Sequence, residues 1–259
     1  MLWRVTVVLG TSAVAACELL ALAGWAARPS SPQPVATTQR ESVARAEIPA
    51  PPPLPVQDYY AQLRSRVRWE PVRMNGAVLL TPDHASRLML AKAAAREARL
   101  EDMGLGFQDV YGLIRAETDW VPRLGASRDG TPNLGIAQFE PATAAALGVQ
   151  DPDDVVEAVH AAARHMREAA EWSRQRVERL RVPKAQRQAM LRAGVSVYYN
   201  LSSRAREGWS GRDADGLPRE TAQHIAHARE GAKEALWLAR QLGPVDIPSA
   251  DAPPVAGAQ

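Results

Sequence analysis

Three observations predict a mostly α-helical fold for this chain. Apolar residues recur at helical spacing almost throughout residues 58–243. Proline and glycine fall mainly where such segments would start and stop. Aromatic residues make up only 5% of the 259 positions, with two phenylalanines, while alanine is abundant. The core is therefore expected to be Ala, Leu, Val and Met carried on helices. With 46% hydrophobic and 23% charged residues, the composition suits one domain of ordinary size plus extensions.

The elements follow in order. Residues 5–27 are nearly continuous apolar sequence after Arg4, and three readings stand for residues 1–27. One is a cleaved signal peptide, although its basic n-region is short. Another is a membrane anchor, since such a length spans a bilayer, although Glu18 would be costly in lipid. The third is lipoprotein processing at Cys17, because Val14-Ala15-Ala16-Cys17 resembles a lipobox, although the apolar run continues past it. All three imply export. Cys17 is the only cysteine, so the exported part has no disulfide and no cysteine nucleophile. Residues 28–57 are rich in Pro, Ser and Ala and read as a disordered or semi-extended linker. Drawn out as polyproline, about 30 residues reach roughly 90 Å.

Within the domain, 58–243, a short helix is expected from Asp58 to Val67, then a less regular stretch from Trp69 to Leu80. Residues 83–102 are Ala-rich helix formers, broken by Gly104 and Gly106. A helix carrying Val110, Leu113 and Ile114 follows. Ser127 to Asn133 is a cluster of turn formers, and the 123–134 loop allows a small hairpin. Pro141 opens a short helix that Gly148 closes, and Pro152 opens a long one with Val155, Val159, Ala162, Met166 and Ala170 on one face. Pro183 opens another, ending near Tyr199-Asn200, and Arg219 to Leu242 forms the last, closed by Gly243-Pro244. Residues 244–259 lack periodicity and read as a disordered tail.

One side chain stands out against this pattern. Val110, Leu113 and Ile114 form a stripe at i, i+3, i+4, and the next position on it is Glu117. Pro122 disfavours helix at Val121, so the helix should end just past Glu117 and deliver its carboxylate to the mouth of a loop. Burial disfavours an ionised carboxyl group and tunes it toward acid catalysis. A glutamate at the solvated edge of a helix face produces the same pattern, so the neighbouring sequence has to decide.

That sequence reads Glu117-Thr118, Gly135-Ile136-Ala137-Gln138, Pro141-Ala142-Thr143-Ala144, Val197-Tyr198-Tyr199-Asn200 and Leu217-Pro218-Arg219-Glu220-Thr221. In order and content, across about residues 105–230, it resembles the lytic transglycosylases of the soluble-lytic-transglycosylase, goose-lysozyme-like superfamily. Those carry Glu-Ser, a Gly-Leu-Met-Gln-like stretch, Pro-Ala-Thr-Ala, Ala-Tyr-Asn-Ala-Gly, and a Pro-x-x-Glu-Thr-x-x-Tyr-like segment. The chain departs at Thr118 for Ser, Ala137 for Met, Leu201-Ser202 for Ala-Gly, and His224 for Tyr. These departures bear on substrate specificity and leave the acid in place.

The resemblance implies a lysozyme-like helical domain with a substrate groove. It also implies cleavage of the bond between N-acetylmuramic acid and N-acetylglucosamine without water. Glu117 would act as acid and then as base, and the muramoyl C6 hydroxyl would attack C1 to leave a 1,6-anhydro product. An intramolecular nucleophile removes the need for a second carboxylate. The residues also supply no obvious second acid. Asp119 lies nearly opposite Glu117 on a helix, Asp129 sits in the loop, and Glu140 precedes a helix. On this mapping Thr118, Gly135, Gln138, Tyr199, Asn200 and Glu220 line the substrate. Structural roles are open for Thr118 as a helix brace, Tyr199 as a core aromatic, Asn200 as a helix end and Glu220 as a helix start.

The expected partner is peptidoglycan, with residues 1–27 as a membrane tether under the anchor reading and the periplasm as location. General wall turnover and service to an envelope-spanning secretion or conjugation assembly both remain open settings. A hydrolytic muramidase and a non-catalytic wall-binding component are the alternatives. Net charge is +2, with Lys and Arg interspersed among Glu and Asp, so nucleic acid is not expected. No cofactor or metal is expected. His160 and His165 do not share a helix face, and His224 and His227 lack a third ligand.

Overall fold

The computed structural model describes residues 56–127, 129–212 and 216–248. The signal or anchor segment 1–27, linker residues 28–55 and tail residues 249–259 lie outside the described residues. The chain runs α1 (Val56–Arg66), β1 (Trp69–Met74), β2 (Ala77–Pro82), α2 (His84–Glu97), a 3-10 turn at Leu100–Met103, and α3 (Phe107–Thr118). Then come β3 (Gly125–Ala126), β4 (Pro132–Asn133), α4 (Pro141–Ala146), α5 (Val155–Val177), α6 (Lys184–Asn200), α7 (Ser203–Glu207) and α8 (Arg219–Leu242). The fold is mostly helical, as the periodicity predicts. Among the described residues no helix is long and apolar enough to cross a membrane.

Helix α2 is the central element. Asp83 caps it by accepting from the Ser86 amide at 2.7 Å. Leu88, Leu90, Ala91, Ala93 and Ala94 are wholly buried, with α3, α5 and α8 packed around them. Burying one such leucine contributes about 1.5–3 kcal/mol. Helix α5 starts at Asp154, whose carboxylate accepts from the Val156 and Glu157 amides. Its face of Val155, Val159, Ala162, Met166 and Ala170 is buried as expected. The 83–102 segment is two pieces rather than one helix: Arg99 is left-handed at φ +51°, which ends α2 before the 3-10 turn.

Two corrections concern the ends of the domain. The stretch expected to be irregular after Trp69 is a regular hairpin, β1 pairing antiparallel with β2 from Trp69↔Pro82 to Met74↔Ala77. Asn75 and Gly76 both have positive φ, +49° and +82°, which is the turn whose twist matches paired strands. The Asn-Gly dipeptide carried that signal. Trp69, Val78 and Leu80 stand exposed on this hairpin. The second strand pair, β3 with β4, falls in the 123–134 loop where a hairpin was allowed for. Residues 244–248, expected to begin a loose tail, lie against the domain. Val245 and Ile247 pack on the core, Asp246 pairs with Arg66 at 2.6 Å, and the Pro248 carbonyl accepts from Arg96 at 3.0 Å.

Candidate active site

Helix α3 presents the stripe that the spacing predicts. Val110, Leu113 and Ile114 are buried, and Glu117 follows with its side chain 18% exposed. The helix stops at Thr118, because Asp119 and Trp120 both turn left-handed, at φ +54° and +64°. Such a conformation costs about 1–2 kcal/mol for each non-glycine residue, so it persists only where surroundings hold it. Here they do. Trp120 is wholly buried, its Nε1 donates to the Tyr111 carbonyl at 3.3 Å, and its carbonyl accepts from the Thr81 hydroxyl at 2.8 Å. The Arg123 guanidinium donates to the carbonyls of Glu117, Thr118 and Val121. It thereby satisfies the open end of the helix and opposes its negative pole.

Glu117 is paired across the fold. Its Oε1 lies 2.9 Å from Nε2 of His224 on α8. Helices α3 and α8 run antiparallel past each other, with the Tyr111 hydroxyl donating to Glu234 at 2.7 Å and Arg115 pairing with Glu234 at 3.0 Å. Their backbones nearly touch at Gly112, where a Cβ would lie 2.2 Å from the Ala228 carbonyl oxygen. At Gly231 a Cβ would lie 2.8 Å from the Gly112 Cα. This crossing brings residue 224 to residue 117. In the sequence His224 stands out only as a departure from tyrosine and as a poor metal ligand.

The residues expected to line substrate are placed as follows. The Thr118 hydroxyl is buried and donates to the Ile136 carbonyl at 2.8 Å, with the Ile114 carbonyl at 3.3 Å, so it braces the helix end against the loop. Gly135 has φ +65°, and a Cβ there would lie 1.9 Å from the Pro152 carbonyl oxygen, so the close approach it permits is to the chain itself. Gln138, also left-handed at φ +50°, donates from Nε2 to the carbonyls of Arg123 and Gly135, both at 2.8 Å. Tyr199, open between a place along the substrate and a core aromatic, donates its hydroxyl to the Ala162 carbonyl at 2.7 Å. Burial, and next the charge of Glu117, push the Tyr199 phenol well above its ordinary value. The Asn200 amide donates to the Ser196 carbonyl at 3.1 Å and finishes its own helix. Glu220 is exposed in the first turn of α8.

The other carboxylates considered are engaged elsewhere. Asp119 pairs with Arg115 at 3.6 Å, Glu140 accepts from Ser127 at 3.0 Å, and Asp129 accepts from the Thr131 amide at 3.0 Å. Among the described residues no three His, Cys, Asp or Glu side chains gather to hold a metal. A cavity of about 400 Å³ opens between α3, α6 and α8, lined by Leu113, Met166, Val195, Ile225 and Leu236 among others. Glu117 is not among its lining residues, so this apolar space is not the groove expected beside the acid. Compared with protein-family models, curated proteins and solved structures, the chain matches none.

Proposed function

We propose that this chain is a peptidoglycan lytic transglycosylase with a lysozyme-like helical domain, in which Glu117 is the single acid and then the base. The observation that carries the reading is Glu117 itself. It is a largely buried carboxylate at the end of α3, fixed by the left-handed turn at Asp119-Trp120 and by the 2.9 Å contact to His224. The motif resemblance from Glu117-Thr118 through Glu220-Thr221 supports the substrate class.

In this scheme Glu117 protonates the oxygen linking N-acetylmuramic acid to N-acetylglucosamine, and the C1–O bond breaks. The muramoyl C6 hydroxyl forms the new bond to C1, and the Glu117 carboxylate takes its proton. Glu117 ends as it began, and no water is consumed. The engagement of Asp119, Glu140 and Asp129 elsewhere favours this route over one needing a second carboxylate. The internal hydrogen bonds of Thr118, Gln138, Tyr199 and Asn200 support a part for them in shaping the site. Export to the periplasm, and a membrane tether through residues 1–27, are part of the same proposal.

The test is to incubate the purified chain with peptidoglycan and identify the soluble muropeptides by mass spectrometry, beside Glu117→Gln. Anhydromuropeptides from the unsubstituted chain alone are expected. Reducing ends would indicate a muramidase, and no product from either would favour a wall-binding component.

A further inference from the structure

The environment of His224 is asymmetric. Its side chain is 6% exposed, Nε2 meets Glu117 Oε1, and Nδ1 is buried with no hydrogen-bond partner among the described residues. That asymmetry limits where protons can reside. When Glu117 is ionised, Nε2 must carry hydrogen, since a bare nitrogen facing a carboxylate oxygen would bring two acceptors together. An imidazolium would add a second N–H at Nδ1 with no acceptor for it among the described residues, and a buried unpaired charged donor is the costlier arrangement.

We propose that His224 is a positioning residue for Glu117, a neutral imidazole held in the Nε2–H tautomer that donates to Oε1 and leaves Oε2 to carry the catalytic proton. This rests on the reading of Glu117 as the acid. A fixed donor of this kind does two things. It orients the carboxyl group so that one oxygen is committed to the protein and the other faces the reaction. It also strengthens as the proton leaves Oε2, because a hydrogen bond to a carboxylate is roughly twice as strong as one to a neutral acid. The groups facing the pair from other elements leave this arrangement intact. Tyr199 from α6 is bonded to the Ala162 carbonyl, and Arg123 is bonded to backbone carbonyls.

The test has two arms on the full chain. In the first, ¹⁵N-histidine-labelled protein is titrated by NMR, with the His224 signals assigned by their loss in His224→Gln. An unprotonated Nδ1 and a protonated Nε2 are expected. A His224 with both nitrogens protonated, or with hydrogen on Nδ1, overturns the proposal. In the second arm, His224→Gln and His224→Phe are compared on soluble glycan-strand fragments. The glutamine amide restores a donor and the ring does not. His224→Phe is expected to lose about tenfold in kcat at near-constant KM, the worth of one charge-assisted hydrogen bond, with His224→Gln recovering most of it. Equal losses in both variants, or a change confined to KM, overturn it as well. If the unsubstituted chain makes neither anhydro nor reducing ends, the reading of Glu117 as an acid fails. The NMR arm, which needs no activity, still decides the tautomer.

Discussion

The α3–α8 crossing predicts a measurable link between two glycines and a pair of side chains elsewhere on the same helices. Replacing Gly112 with alanine puts a Cβ 2.2 Å from the Ala228 carbonyl oxygen and 3.0 Å from the Ala232 nitrogen. Both are backbone atoms that cannot rotate away. Ordinary carbon–oxygen contact is about 3.3 Å, so the helices must separate by roughly 1 Å. Overpacking of this kind costs about 1–3 kcal/mol. For a domain of this size that is a fall in Tm of about 2–12 °C. Glu117 lies five residues beyond Gly112, about 7.5 Å along the axis. A rigid shift of about 1 Å there takes the 2.9 Å contact to His224 past hydrogen-bonding length. Gly112→Ala should therefore lose stability by calorimetry and the His224 Nε2–H signal by NMR. Gly231→Ala should move both in the same direction, since its Cβ would sit 2.8 Å from the Gly112 Cα. An unchanged Tm in Gly112→Ala would refute the close packing. A lower Tm with an intact His224 signal would refute the claim that the crossing sets the pair.

Three further outcomes are expected. Thr118→Val leaves the Ile136 carbonyl unpaired and should cost about 1–3 kcal/mol in urea denaturation, whereas Thr118→Ser keeps the donor and most of the stability. Arg123→Met strips the carbonyls at the end of α3 and should speed hydrogen exchange of the Asp119 and Val121 amides, with a loss of about 1–3 kcal/mol. Burial holds the imidazoles of His160 and His165 below their ordinary pKa, so the unfolded chain binds protons that the folded chain refuses. Stability should fall as pH drops below about 6.5, by at most about 1.4 kcal/mol per unit for each histidine, and His160→Gln should flatten that slope in melts from about pH 7 to about pH 5.

Much of the scaffold was legible because its causes are local. Helical spacing, the prolines before α4, α6 and α8, and the glycine after α8 act over a few residues, and those helices form where the pattern places them. The position of Glu117 at a helix end was legible too, through Pro122 and the apolar stripe. The β1–β2 hairpin is also written locally, in Asn75-Gly76, but its flanking residues lack a clean polar and apolar alternation. The bracing role of Thr118 and a core position for Tyr199 were among the readings left open, but the partners of Thr118, Gln138 and Tyr199 were not legible. Each is a polar side chain whose partner is a backbone carbonyl brought near by folding.

By itself the sequence determined a mostly helical domain, a glutamate at the end of its third helix, and a motif order resembling lytic transglycosylases. Only the tertiary structure decided what that glutamate touches. His224 lies 107 residues away from Glu117, and no periodicity or motif spacing links them. They meet because two side-chain-free positions, Gly112 and Gly231, let α3 and α8 approach to backbone contact. A hydrogen bond is decided over tenths of an ångström, and helix packing, not propensity, sets distance on that scale.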